Sequence, residues 1–68
     1  MKMVLKLHFG DSIDRNIDEE WDRTLAWPEF IKSLDQNITK VYFDLVDYST
    51  TIHFNSEAHY TWFIMRYS

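Results

Sequence analysis

Carboxylate side chains are concentrated in one stretch of this chain, residues 11–23. Six residues of this stretch are acidic and two, Arg15 and Arg23, are basic, which gives it a net charge of −4. The complete chain of 68 residues also carries −4, so the rest of it is balanced. Charge collected in this way creates a directed field that attracts basic partners and repels phosphate backbones. The stretch therefore indicates either a binding surface for a basic partner or a solvated segment that keeps a small protein soluble.

The candidate partner-binding residues are the acidic side chains at the centre of this stretch and the tryptophan among them. They are Asp14, Asp18, Glu19, Glu20, Trp21 and Asp22. The carboxylates would steer a basic partner to the site, since charge complementarity acts mainly on specificity and on the association rate. Trp21 is either an anchor in the core or a contact of high binding energy, because tryptophan is used in both places.

A calcium-binding loop is another interpretation of the same stretch. Side-chain oxygens recur at every second position, as they do in an EF-hand loop. They belong to Asp14, Asn16, Asp18, Glu20 and Asp22. Glu19, however, stands where the loop requires a glycine, and Leu25 stands where it requires a bidentate glutamate. We therefore expect no metal and no other cofactor.

The rest of the chain contains no pattern of residues that is typical of an enzyme. The sequence has no cysteine, which excludes disulfides, thiolate metal sites and cysteine nucleophiles. The three histidines, His8, His53 and His59, lack the spacing of zinc ligands. No G-x-S-x-G turn surrounds a serine, and the single glycine, Gly10, cannot form a phosphate-binding loop. The sequence predicts that the protein is not an enzyme.

Alternation of apolar and polar residues predicts three strands, over residues 2–9, 40–48 and 51–54. Asp47–Thr50 offers a hairpin turn between the last two. Pro28 suits the first position of a short helix that extends to about Asp35. A second helix begins after Asn55 or Ser56, either of which can cap it, although the run at residues 60–65 also suits a strand.

Residues 12–26 allow two local structures. Ile13, Ile17, Trp21 and Leu25 recur at intervals of four, which would form one apolar stripe on a helix from Ser12 to about Ala26. The aspartates, the β-branched isoleucines and an asparagine are mediocre helix formers, so an irregular loop anchored by Trp21 explains the same residues. Helix and loop both remain open from the sequence.

The order of elements is β-α-β-β-α, which predicts an α+β fold with a three-stranded, mostly antiparallel sheet and its helices on one face. We expect the whole chain, residues 1–68, to form one small domain. One core should enclose the apolar residues that face the helices. The expected members are Leu5, Leu7, Phe30, Phe43, Phe54 and Phe63. A core this small leaves little surplus stability, so a homodimer is also predicted.

Composition excludes several other classes. Hydrophobic residues make up 46% of the chain and aromatic residues 18%, which is not the composition of a disordered segment. No apolar run reaches the length of a membrane span, so we expect a soluble protein of the cytoplasm that does not bind a membrane. The net negative charge predicts that the protein does not bind nucleic acid directly.

Two segments resemble parts of bacteriophage proteins. Residues 27–34, WPEFIKSL, are similar to a "tWeeFvkrL" segment of some phage replication and primase polypeptides. Residues 52–67, from Ile52 to Tyr67, resemble the ending of many short phage proteins. The resemblance implies an accessory or inhibitory phage protein that acts in the host cytoplasm. Together with the acidic stretch, it predicts an inhibitor of a host nucleic-acid-handling complex, of the anti-CRISPR or anti-restriction kind, that imitates the charge of DNA or RNA.

The alternative function belongs to another class. Tyr42, Tyr48 and His53 are expected on the outer face of the sheet, with Lys2 and Lys6 beside them. This face could dock a partner of a replication or transcription complex, and the acidic stretch would then serve solubility alone. The two functions differ in their response to salt, because screening weakens charge mimicry far more than aromatic docking.

Overall fold

A computed structural model describes residues 3–68 of the chain, so Lys2 and the start of the first expected strand lie outside the described residues. The order of elements is β1 (Val4–His8), α1 (Ser12–Glu20), α2 (Trp27–Ser33), β2 (Ile38–Asp44), β3 (Ser49–Phe54) and α3 (Glu57–Tyr67). The three helices pack against a three-stranded sheet, which confirms the expected α+β class. The additional helix is α1.

The strands are all antiparallel, in the order β1-β3-β2. The central strand, β3, pairs Ile52 with Leu5 on one side and with Val41 on the other. These residues share the face that the helices cover, and from Thr50 to Phe54 buried residues of β3 alternate with half-buried ones because side chains alternate across a strand. Tyr42 and His53 lie on the opposite face, where their rings meet edge to face at 5.6 Å.

Local sequence explains where the helices begin. Pro28 occupies the first turn of α2, with Glu29 beside it and Lys32 in the last turn, as the helix dipole favours. Ser56 caps α3, since its hydroxyl accepts a hydrogen bond from the backbone N–H of His59 at 3.4 Å. Helix α3 is thus confirmed, and the alternative strand at residues 60–65 is wrong.

Residues 12–26, for which the sequence allowed either a helix or a loop, form a helix followed by a loop. Helix α1 ends at Glu20 rather than continuing to Ala26, and residues 21–26 form an irregular connection to α2. Ile17 is fully buried, whereas Leu25 is 46% exposed. The apolar stripe therefore holds the helix against the core only where a neighbouring element covers it, and Leu25 lies beyond that point.

The core lies between the sheet and the helices. Its buried members are Leu7, Ile17, Ile31, Ile38, Ile52, Phe54, Phe63 and Tyr67. Leu5 and Phe30 are half-buried and pack against this cluster. Phe43, which we expected in the core, is 41% exposed. It lies on the covered face of the sheet, opposite Thr50, but near the end of β2, where the cover of the helices stops.

The connection between β2 and β3 also differs from expectation. The turn comprises residues 45–48, two positions earlier than expected, and β3 begins at Ser49. Tyr48 takes a left-handed backbone with φ of 52°, a role that glycine or asparagine usually fills. Lys6 pairs with Asp47 at 3.3 Å.

Within residues 3–68, no helix is long and apolar enough to cross a membrane.

Candidate functional site

Helix α1 spreads the acidic residues around its exposed surface. Asp18 and Glu19 are exposed, and Asp14 is half-buried one turn before Asp18. We call the five carboxylates of the predicted site the acidic surface. They are Asp14, Asp18, Glu19, Glu20 and Asp22. Asp22 lies in the connection after α1, and the positions of the other four follow from the burial of Ile17, which turns the opposite side of the helix toward solvent.

A surface groove with a volume of about 940 Å³ lies beside α1, between the connection to α2 and one end of the sheet. We call it the aromatic groove. Its lining residues are Phe9, Gly10, Asp14, Arg15, Asp18, Glu19, Trp21, Arg23, Trp27, Pro28, Phe43 and Tyr48. The groove therefore brings together three carboxylates of the acidic surface, Trp21 and four further aromatic residues from distant parts of the chain.

Two tryptophans form a rigid part of the lining. Trp21 and Trp27 meet edge to face, with their ring centroids 5.0 Å apart. The indole N–H of Trp27 donates to the hydroxyl of Thr50 at 3.0 Å, and that of Trp21 donates to the carbonyl of Leu25 at 2.8 Å. Both polar ends are thereby satisfied, which leaves apolar ring surface for contact with a ligand.

A tight turn after α1 holds a cation over one of these rings. The carboxylate of Asp22 accepts hydrogen bonds from the backbone N–H of Thr24 at 3.0 Å and from its hydroxyl at 2.7 Å. These bonds lower the pKa of Asp22. Arg23, between them, has a φ of 68°, and its guanidinium carbon lies 4.6 Å from the centroid of the Trp21 ring.

Asp14 differs from the exposed carboxylates near it. Burial raises its pKa above the ordinary value, and the negative charges of Asp18 and Asp11 act in the same direction, while a hydrogen bond from the Gly10 backbone opposes them. A cation placed in the groove would stabilise the ionised form of Asp14 and lower its pKa again.

Glu20 belongs to the acidic surface in sequence but faces another element. Its carboxylate accepts a hydrogen bond from the hydroxyl of Tyr67 at 3.2 Å and lies 3.9 Å from the guanidinium of Arg66. Asn16 also contacts this end of α3, donating to the carbonyl of Tyr67 at 2.6 Å. Glu20 therefore helps to attach α1 to α3, and the groove contains only part of the predicted site.

The residues that suggested a calcium-binding loop lie mostly in a regular helix. Asp14, Asn16, Asp18 and Glu20 all lie within α1, where residues two apart do not face each other. Among residues 3–68, no group of three or more histidine, aspartate or glutamate side chains could hold a metal ion.

A second polar pair lies away from the groove. The carboxylate of Asp35 is only 4% exposed and contacts the ring nitrogen Nδ1 of His59 at 2.9 Å. It also accepts a hydrogen bond from the backbone N–H of Asn37 at 2.8 Å. Asp35 precedes β2 and His59 lies in α3, so the pair joins two elements. Its bonds are all explained by the fold, and it belongs to the structure rather than to a site.

Eight lining residues of the groove were not predicted as site residues, namely Phe9, Gly10, Arg15, Arg23, Trp27, Pro28, Phe43 and Tyr48. Of the four aromatic residues among them, Phe43 was expected in the core and Tyr48 on the outer face of the sheet, while Phe9 and Trp27 were given no role in binding. One signal was available. Aromatic residues make up 18% of the chain, more than so small a core encloses, so some had to remain on the surface. Which of them converge depends on the fold.

No protein-family model matches this sequence, and neither a curated protein nor a solved structure matches it.

Proposed function

We propose that the protein is a non-catalytic interaction protein that binds a basic surface of a protein partner through the acidic surface. By occupying that surface, it inhibits or modulates a complex that handles nucleic acid. The observation that carries the proposal is the exposure of Asp18 and Glu19 beside an aromatic groove, in the one part of the chain that holds the whole net charge.

The type of partner follows from charge. Protein grooves that bind DNA or RNA are lined by lysine and arginine, because these side chains neutralise phosphates. A protein that presents carboxylates in place of phosphates competes for the same groove. The resemblance of residues 27–34 and 52–67 to phage polypeptides favours a host complex, such as a defence complex, as the target. The same negative charge should prevent the protein from binding DNA or RNA itself.

The proposal is tested with two variants that have the same net charge. The first, the neutralised variant, removes the charge of four carboxylates of the acidic surface by D18N, E19Q, E20Q and D22N and retains Asp14. The second, the control, carries E29Q, D44N, D47N and E57Q, which change four exposed carboxylates outside the acidic surface. Each set neutralises four of the chain's 11 acidic residues and changes the net charge from −4 to zero. Both should fold, because exposed charges contribute little to stability.

Partners are captured on the immobilised wild-type protein from the heparin-binding fraction of a bacterial lysate, and their association and dissociation rates are then measured with all three proteins. We expect the first variant to associate much more slowly at low salt and the control to retain most of the wild-type rate, since steering depends on the local field. The captured partner should bind DNA, and the wild-type protein should displace that DNA. Equal rates for the two variants would contradict the proposal.

A second candidate function uses the uncovered face of the sheet. Tyr42 is 48% exposed there, and the ammonium of Lys40 lies 5.6 Å from the centroid of its ring. This face could dock a replication or transcription partner through aromatic contacts. Y42A should then abolish binding while the neutralised variant retains it, and affinity should change little as salt rises from about 0.05 to 0.5 M.

A further inference from the structure

We propose that the aromatic groove binds an arginine side chain of the protein partner, in competition with the chain's own Arg23. This inference rests on the proposed function, since it states which group a basic partner inserts beside the acidic surface.

The first observation is that the groove already holds a guanidinium group. Arg23 lines the groove, with its guanidinium carbon 4.6 Å from the centroid of the Trp21 ring, a distance at which a cation is attracted to the face of an indole. Among residues 3–68, no carboxylate forms an ion pair with Arg23. Contact with the ring is therefore the interaction that holds this cation, and another cation can replace it.

The second observation is the chemistry of the lining. Trp27, Phe43 and Tyr48 add ring surface to that of Trp21, and Asp14 adds a half-buried carboxylate. A planar guanidinium stacks on aromatic faces and is more weakly hydrated than an ammonium group, so it loses less on entering such a site. The volume of about 940 Å³ is within the range of pockets that enclose a ligand. Arginine fits these walls better than lysine does.

The chain also contains a matched reference for non-specific stacking. Trp62 on α3 is 49% exposed, and the guanidinium carbon of Arg66 lies 5.5 Å from its ring centroid. This second arginine–tryptophan pair lies outside the aromatic groove. A ligand that merely stacks on exposed indoles will affect Trp62 as much as Trp21.

The probe is the peptide acetyl-Gly-Gly-Arg-Gly-Gly-amide, compared with the same peptide carrying citrulline, the neutral isostere of arginine, or lysine. Each peptide is titrated into the ¹⁵N-labelled protein, and the indole N–H signals of all three tryptophans are followed by NMR. The arginine peptide should shift the signals of Trp21 and Trp27 in a saturable way and leave that of Trp62 nearly unchanged. Lysine should bind more weakly, and citrulline should cause little shift. Equal shifts with citrulline, or a response of Trp62 equal to that of Trp21, would overturn the inference.

Three variants test the competition. R23Q removes the internal cation and should tighten binding of the arginine peptide about two- to fivefold, which is the gain expected from freeing one exposed cation–π contact. D14N should weaken binding, whereas D44N, a control outside the groove, should leave it unchanged. Unchanged or weaker binding by R23Q contradicts the inference, as does an equal effect of D14N and D44N.

The two proposals can fail separately. If the neutralised variant loses its partner but no peptide shifts the signals of Trp21 and Trp27, the acidic surface binds the partner without the groove, and the inference is wrong. If the arginine peptide binds as expected but the neutralised variant keeps its partner, the groove is an arginine site and the proposed function is wrong.

Discussion

Asp35 is a buried carboxylate whose charge is stabilised by its neighbours. Burial acts to raise its pKa, but hydrogen bonds from the Asn37 backbone and from His59, with the attraction of the His59 ring, outweigh that effect and lower the pKa below 3.8. A carboxylate with a lowered folded pKa stabilises the fold above its unfolded pKa. That contribution is lost as the pH falls through the folded value.

The D35N variant tests this stabilisation. The asparagine can still accept the hydrogen bond from Asn37 but no longer offers the ring of His59 a negatively charged acceptor, so we expect the free energy of unfolding to fall by about 1–2 kcal/mol near pH 7. The difference between wild type and variant should shrink as the pH falls below 3.8, because Asp35 then becomes protonated in both the unfolded and the folded state. Urea unfolding across this range measures it. A difference that persists unchanged to about pH 2 would contradict the assignment.

Two phenylalanines show how strongly position decides the contribution of one side chain. Phe63 is fully buried, and its ring centroid lies 5.3 Å from that of Phe54 and 4.9 Å from that of Tyr67. Phe43, in contrast, is 41% exposed at the end of β2. F63A should cost about 3–5 kcal/mol, enough to unfold a domain of this size. F43A should cost about 1 kcal/mol, because its ring is only partly removed from water.

Circular dichroism and urea unfolding of F63A and F43A compare the two sites. The F43A variant should keep the native spectrum, which makes it usable as a groove variant in binding experiments. If F43A unfolded the protein as F63A does, Phe43 would be a core residue, and the groove would be narrower than described.

At the scale of elements, helix α1 ends where neighbouring elements no longer cover its apolar side. Ile17 packs into the core with no exposure, and the stripe continues through half-buried Trp21 to Leu25, which is 46% exposed. The chain leaves the helix after Glu20, and Trp21 turns toward Trp27. This early end creates the turn that carries Arg23, so the length of α1 determines whether the groove forms.

Alanine substitutions along this stripe test the length of α1. I17A should destabilise the protein by about 2–4 kcal/mol, since it leaves a cavity in the core. L25A should cost well under about 1 kcal/mol, as expected of a surface position. Hydrogen exchange should find the amides of residues 16–20 protected and those of residues 22–26 exposed. If I17A and L25A lowered the stability equally and the amides exchanged slowly through Ala26, α1 would extend to Ala26 and the shorter helix would be wrong.

At the scale of the whole molecule, the core is thin and much apolar surface remains outside it. Phe9, Leu45 and Val46 are 81, 73 and 92% exposed, and Tyr48 beside them is 58% exposed. Phe9 and Tyr48 are joined by a backbone hydrogen bond of 2.9 Å, so this surface continues into the aromatic groove. A patch of this kind is typical of a protein that associates with another chain.

The homodimer stays a prediction that follows from this surplus of apolar surface. If two copies associate, the melting temperature should rise with protein concentration, because association stabilises the folded state by mass action. Thermal melts over a hundredfold range of concentration, with sedimentation equilibrium, measure the effect. A melting temperature independent of concentration would show that the folded monomer is stable alone and leave the patch free for a different partner.

Several features were determined by the sequence itself. Local structure was specified by three features: the alternation over β1 and β3, the proline at the start of α2 and the Ser56 cap of α3. Each of them acts through neighbours close in the chain. The α+β class followed from the order of these elements. The position of the net charge along the chain was likewise evident, since it depends only on the order of the charged residues.

Other features were decided only by the tertiary structure. Whether Leu25 or Phe43 is buried depends on how far the helices extend over the sheet, which local periodicity does not encode. The aromatic groove joins residues as distant in sequence as Phe9 and Tyr48, and Glu20 reaches Tyr67 across the packed helices. Such contacts exist only after the core has brought α1, the sheet and α3 together, because packing between distant elements, and not local propensity, sets which side chains meet.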